Sequence, residues 1–529
     1  MSSEALPQAA PHPVLAEIAA EIGEAHVLVD EQARRFHSSD IYAVGELPLA
    51  VVRPADTDGV AAIARFAARH GLSLVPRGGG VSYTDGYLPT ESASLLVDAA
   101  RLERILEINE EDMYVTVQAG VTWAQLNDAL RPLGLRTPFF GPFSGARATV
   151  GGSVSQHSVS WGTGIFGASA DSVLSVEVVL SGGEVLRTGS WGTDTSTPFF
   201  RHFGPDLTGL FAGDAGALGI KTAITLRLLA RPPEFIGLSF RFPDFDAMFA
   251  GMHAVAKLGI NTVNFGLDPR LQQGALGRMA TRDALAAARS VFATARNPLD
   301  GIVQVVRMGL AGRRFVSADE YALHYVVEGV DRAAAKAAAA AVRRAVAPYG
   351  AEMANTVPNV MYANPYPPFT NIVGPRGERW APIHGLLPFS RVTPFRRALE
   401  ALLAGHDDAM REHGIEIGNM FMSVSTNGFI YEPVFYWPDA HNDAVRGIVP
   451  EGYLDQVGEH PASPEGRALV HAIKLEIIDL LHRHGAVHFQ VGKLYPYLVD
   501  RNPAAERLVR DIKKALDPDR KMNPGALGL

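Results

Sequence analysis

No cysteine occurs among the 529 residues of the chain. That absence excludes disulfides, a thiolate nucleophile, cysteine-ligated zinc or iron–sulfur clusters, and a cysteinyl bond to a cofactor. Chemistry must rest on His, Tyr, Asp, Glu, Lys or Arg, or on a bound organic cofactor. An uncharged apolar run of roughly 18 residues is also missing, so no membrane span is expected. The first residues, 1–13, hold neither a basic patch nor the apolar core of a secretory signal, and a cytoplasmic location is expected. An excess of cations is lacking too: 48 Lys and Arg against 56 Asp and Glu give a formal charge of −8, which argues against a nucleic-acid partner.

What remains is ordinary globular composition, 47% hydrophobic and 20% charged, which excludes wholesale disorder. At roughly 150 residues per domain the length suits three to four domains or one large two-lobed enzyme. Val14, Ile18, Ile22 and Val27 share a stripe that predicts a helix over 13–36. A strand at 49–52, a helix at 57–70 capped by Asp56 or Thr57, and a strand at 73–75 read as one βαβ unit. Strand pairs follow at 105–108 with 113–118, and at 173–180 with 185–188 around Ser181-Gly182-Gly183-Glu184. A strand at 222–229 closes on Pro232-Pro233, a natural boundary. Beyond it long helices alternate with strands, the clearest helix spanning 333–346. Residues 358–376, crowded with Pro, Gly and Asn, read as a loop region. A helix at 463–482, a short strand near 487–491 and a helix at 504–516 complete the chain.

Gly162-Thr163-Gly164-Ile165-Phe166-Gly167 matches G-x-G-x-x-G, but it follows a Ser-rich stretch and precedes a hairpin, so a nicotinamide Rossmann site is not expected. G-x-S-x-G, P-loop and H-E-x-x-H motifs are absent. His482, His484 and His488 straddle a helix end and a strand, so no metal site is expected. Three glycine-rich segments carry more. Pro76-Arg77-Gly78-Gly79-Gly80-Val81-Ser82 follows a strand and leaves amide N–H groups unshielded, a nest for a diphosphate. Ala148-Thr149-Val150-Gly151-Gly152-Ser153-Val154-Ser155 combines small residues with hydroxyls. Gly213-Asp214-Ala215-Gly216-Ala217-Leu218-Gly219-Ile220 is small enough for a planar group to lie on the main chain. Together they favour an extended dinucleotide laid across side-chain-poor bends.

This succession of segments resembles the FAD domain of the vanillyl-alcohol oxidase / p-cresol methylhydroxylase superfamily. Ile512-Lys513-Lys514-Ala515-Leu516-Asp517-Pro518 with Asn523-Pro524-Gly525 is similar to that superfamily's C-terminal signature. The resemblance covers the chain beyond residue 40 and is most specific over 44–232 and 485–529. It implies a two-lobed α+β fold: an N-terminal helical segment (1–43), an FAD-binding domain (44–232), an α+β cap domain with an antiparallel sheet (233–484), and a C-terminal return to the FAD domain (485–529). FAD would be held by the three glycine-rich segments and Asn523, with its isoalloxazine where the lobes meet.

Against the family pattern, Val81 stands where a flavin-linking His of the first loop would be. The block Trp380-Ala381-Pro382 … Phe389-Ser390 resembles the cap-domain linking block, but Leu386 holds the linking position and His384 lies two residues earlier. FAD is therefore expected to bind non-covalently, a His384 link being the alternative. His488-Phe489-Gln490 replaces the phenol-holding Tyr-Arg pair. Ser155, Gln156 and His157 replace the catalytic acid, and Tyr83 lies one position from a loop Tyr. The metal-binding histidines of the D-2-hydroxyacid dehydrogenase branch are missing from 422–429, and Phe489-Gln490-Val491-Gly492 precedes Lys493 where a ligating Glu-His would stand. The expected pocket is lined by His157, His384, Arg391, Gln490, Lys493, Tyr495 and Tyr83, with Tyr431, Phe435 and Tyr436 as aromatic walls. The expected reaction is hydride transfer from a C–H beside the hydroxyl of an aromatic or phenolic alcohol to flavin N5, with His157 or His384 as proton acceptor. A D-2-hydroxyacid dehydrogenase and a redox-neutral or non-catalytic flavoprotein are the alternatives. The expected partners are a small aromatic substrate and further copies of the chain, in a homodimer or larger homo-oligomer.

Overall fold

The computed structural model describes residues 14–272 and 320–529, so parts of the N-terminal segment and of the cap expectation lie outside the described residues. Four strands open the fold: β1 (Val27–Leu28), β2 (Ala50–Val52), β3 (Ser73–Arg77) and β4 (Ser94–Asp98) form a sheet of order β1-β2-β4-β3. The helix Thr57–His70 links β2 to β3. It starts where the Asp56 side chain accepts the Gly59 N–H, and ends at Gly71 in the left-handed conformation. Its Val60, Ile63, Phe66 and Ala67 pack on Leu74 and Leu95 of the sheet. The βαβ unit is present with one refinement: β2 and β3 both run parallel to β4, which lies between them.

The next strands are β5 (Ile105–Asn109), β6 (Tyr114–Gln118), β7 (Leu135–Arg136), β8 (Val173–Val179), β9 (Val185–Arg187), β10 (Ile220–Arg227) and β11 (Leu229–Ala230). An antiparallel sheet runs β5-β6-β10-β8-β9, and β7 pairs with β11. Both hairpins read from the sequence are here.

A larger antiparallel sheet follows, built from β12 (Glu234–Phe242), β13 (Asn261–Leu267), β14 (Tyr321–Gly329), β15 (Ala351–Met353), β16 (Arg379–Pro382), β17 (Gly385–Pro388), β18 (Glu416–Val424) and β19 (Gly428–Trp437). Its order is β15-β12-β14-β13-β18-β19-β16, and β17 also pairs with β19. One face buries Leu323, Phe421, Tyr431 and Phe435 under the helices Phe245–Ala256, Arg332–Val346, Phe389–Ala404 and Pro464–Arg483. The opposite face presents Val263, Phe265, Met422 and Ile430 toward Phe140, Trp161 and Phe489. That second face positions the site. At the end of the chain Met522 bridges Leu74 of the first sheet, and the buried Lys513 ammonium donates to the carbonyls of Ala217 and Met522.

Four local expectations are corrected. The helix expected over 13–36 is two helices, Leu15–Ile22 and Glu31–His37, because Gly23 turns with φ 92° and Val27 enters β1. No strand forms near 487–491; Val487 makes a single bridge to Leu386. The start of 358–376 belongs to the helix Thr356–Ala363. The second glycine-rich segment is the helix Val150–Gln156, because the Thr149 side chain caps it by accepting the Gly152 N–H. No helix among the described residues is long and apolar enough to cross a membrane.

Candidate active site

A cavity of about 520 Å³ lies between the glycine-rich segments and the open face of the large sheet. Its first wall begins where β3 ends. Gly79 approaches the neighbouring main chain so closely that a Cβ there would lie 2.0 Å from the Arg147 carbonyl oxygen. Gly80 has φ 69°, which favours glycine. Arg77 is buried beside them. Its Nη1 lies 3.9 Å from Asp98 Oδ1, while its Nε and Nη2 have no hydrogen-bond partner. Unspent donors beside side-chain-free amides suit an anionic ligand.

The third segment is braced from inside. Asp214 Oδ1 accepts the Gly216 N–H at 3.1 Å and the Lys221 ammonium at 2.6 Å. Pro76, Arg77, Gly78, Gly79, Gly80, Val81, Ser82, Thr149, Gly151, Gly152, Ser155, Gly216, Gly219 and Ile220 all line the cavity. Asn523 does not. It is buried, and its Nδ2 donates to the carbonyls of Gly86 and Ala215, pinning the loop that follows the first segment to the third.

The second wall follows from strand alternation. Along β19, Ile430, Glu432, Val434 and Tyr436 face the cavity, while Phe429, Tyr431, Phe435 and Trp437 face the helix-covered core or its edge. Tyr431 and Phe435 are thus core residues, not pocket walls. Trp380 stands beside Tyr436 in register and meets Tyr83 edge-on, ring centroids 5.5 Å apart.

Glu432 is the exception in this apolar wall. It is 7% exposed, and burial pushes its carboxyl up to about 8. Burial raises the Tyr83 phenol well above its ordinary value, with Glu432 adding to the shift. Sequence reasoning missed Glu432, although a signal was there: it is the only charged residue in the ten-residue strand Gly428–Trp437.

Of the expected catalytic residues, Tyr83 and Gln490 line the cavity and the other five do not. His157 ends the helix Val150–Gln156 in a left-handed conformation, its ring against Gly213; burial lowers its pKa. His384 is fully buried behind the wall, where burial holds it well below the ordinary imidazole range. Arg391 is exposed on the helix Phe389–Ala404. The Lys493 ammonium donates to the Leu88 carbonyl at 2.5 Å, and burial lowers it to about 8. Tyr495 is buried and stacks on His488, centroids 3.9 Å apart. His482, His484 and His488 go separate ways, to Asp500, Phe395 and Tyr495.

Residues 48–189 match the family model of the FAD binding domain. The glycolate oxidase subunit GlcD of Bacillus subtilis is 34% identical over 202 residues, which cover 38% of this chain and 41% of that protein. p-Cresol methylhydroxylase with substrate bound superposes with a TM-score of 0.71 at 17% identity, covering 98% of this chain and 96% of that one. Alkyldihydroxyacetonephosphate synthase gives 0.69 at 16% identity, covering 98% and 85%. Residues 48–189 thus carry an FAD binding domain, and the chain shares the fold of p-cresol methylhydroxylase.

Proposed function

We propose that the protein is an FAD-dependent oxidoreductase that oxidises the C–H bond beside the hydroxyl of an aromatic or other apolar alcohol. The observation that carries this reading is one continuous cavity, running from the glycine-rich nest to an apolar wall interrupted by Glu432. The nest fits the cofactor: Arg77 offers unpartnered donors, and Gly79 and Gly80 leave their amides open. Pro76–Ser82, the start of the helix Val150–Gln156 and 215–221 would hold FAD across its length. When bound, FAD supplies the hydride acceptor, flavin N5.

The chain's own residues do the rest. Glu432, as carboxylate, accepts the proton of the substrate hydroxyl while hydride leaves the carbon. Tyr83 and Trp380 hold an aromatic substrate edge-on, and the apolar lining excludes water. The described residues of the cap wall that line the cavity include Val263, Phe265, Met422 and Ile430 around Glu432, a largely apolar lining that carries an acidic group. That favours an uncharged alcohol.

The FAD-loaded protein is to be mixed anaerobically with benzylic and straight-chain primary alcohols and, separately, with D-2-hydroxy acids, following the flavin absorbance. Bleaching by an alcohol supports the proposal; no bleaching across the alcohol panel removes it. The likeness to a glycolate oxidase subunit supports a second reading, oxidation of a 2-hydroxy acid. Bleaching by glycolate or D-lactate alone would establish it.

A further inference from the structure

The cavity extends past Glu432 into a lane with no use for a compact phenol. In register across the sheet, Glu432 on β19 lies beside Met420 on β18, and Met420 lies beside Leu267 on β13. Leu271 continues the lane, its Cβ 3.2 Å from the place where a Cβ on Gly418 would stand, so the bare backbone of β18 makes room for it. Val357 and Met361 of the helix Thr356–Ala363 also line the cavity and pack with the apolar residues of the sheet's open face. Leu267, Leu271, Met420, Val357 and Met361 are each only half-buried, although they line the interior of a protein cavity.

A slot lined in this way holds water poorly, because water there finds few polar partners. Filling it with apolar atoms recovers the transfer free energy that its lining forgoes. Two of the five side chains are methionines, unbranched and adaptable, which suit a flexible chain better than a rigid ring.

We infer that the substrate is an amphipathic alcohol with a long alkyl tail, its hydroxyl end at Glu432 and its tail along Met420, Leu267 and Leu271. The inference rests on the proposed function in placing the hydroxyl end, and it deepens that reading from alcohol to long-chain alcohol. The tail lane itself is a binding property and can be tested without turnover.

The test uses FAD-loaded protein and straight-chain primary alcohols from butyl to dodecyl, with binding read by isothermal titration calorimetry. Kd is expected to fall about three- to four-fold per added methylene until the lane is full, with a heat-capacity change that becomes more negative along the series. Met420→Trp and Leu271→Trp, which fill the lane at its near and far ends, are expected to end the fall at shorter chains, Met420→Trp first. Two variants are used so that misfolding of one leaves the other informative. A Kd independent of chain length in the unaltered protein overturns the inference, as does an unshortened slope in a folded variant. Chain-length-dependent binding without flavin reduction by any alcohol leaves the lane standing and removes the proposed reaction. Reduction with flat binding removes the lane alone.

Discussion

The His384 imidazole stacks on the Phe489 ring with centroids 4.0 Å apart, and its Nε2 accepts the backbone N–H of Gln490 at 3.4 Å. Phe489 and Gln490 line the cavity; His384, fully buried, backs them. Its role is to hold the wall. His384→Ala should leave a void there and cost roughly 2–4 kcal/mol, read by denaturant unfolding. Burial keeps this imidazole neutral across the working range, so any loss of rate should be the same at every pH. A variant that loses the pH dependence of flavin reduction would make His384 the base after all.

Glu432 makes the opposite prediction. As a base it must be ionised, and burial raises its carboxyl to about 8. Flavin reduction by substrate should therefore rise with pH through about 8. Glu432→Gln should lower the rate by roughly 10²- to 10⁴-fold and abolish that limb. The sign for stability runs the other way. The folded state keeps a proton that the unfolded chain loses from about pH 4.5 upward, so this group's contribution to stability falls as pH climbs toward about 8. Glu432→Gln should thus raise the melting temperature at pH above about 8. A steep limb persisting in the variant would place the base elsewhere.

The division between what the sequence disclosed and what it hid has a physical basis. The glycine-rich wall of the cavity was legible because it depends on local chemistry. Runs such as Gly78-Gly79-Gly80 are needed wherever backbones approach closely, and all fourteen lining residues expected from the three segments line the cavity. The helix Thr57–His70 was equally plain, from Asp56 at its cap to Gly71 beyond its end. The opposite wall was not, because it depends on strand register. Whether Tyr431 or Glu432 faces the cavity is decided by one residue of phase in β19. His384 and His157 attracted attention by residue type, yet tertiary packing keeps both out of the cavity lining, His384 fully buried and His157 half-buried. Asn523 was noticed for its position in a terminal motif, and its work is to pin two loops from behind.

The nest can be probed at one atom. A Cβ at Gly79 would lie 2.0 Å from the Arg147 carbonyl oxygen, far inside van der Waals contact, so Gly79→Ala must displace the loop that carries the exposed amides. The variant should weaken FAD binding at least tenfold, measured by flavin fluorescence titration, while far-UV circular dichroism stays unchanged. Full FAD retention by a folded variant would show that the amides of Gly78–Gly80 do not grip the cofactor.

Arg136 on β7 and Glu328 on β14 join the two parts of the molecule through a buried ion pair of 2.6 Å, with side chains 3% and 8% exposed. Glu328 also accepts from the hydroxyls of Thr262 and Tyr362, and the Arg136 guanidinium lies 4.7 Å from the centroid of Phe140. Removing either partner strands the other charge in a low-dielectric interior. Arg136→Met or Glu328→Leu alone should therefore cost about 3–5 kcal/mol in denaturant unfolding. The double variant leaves no unpaired charge and should cost clearly less than the sum, because contacting residues couple. Single variants within about 1 kcal/mol of the unaltered protein would mean that water reaches the pair. The union of the two parts would then rest on apolar contacts such as that of Phe140 with Tyr362.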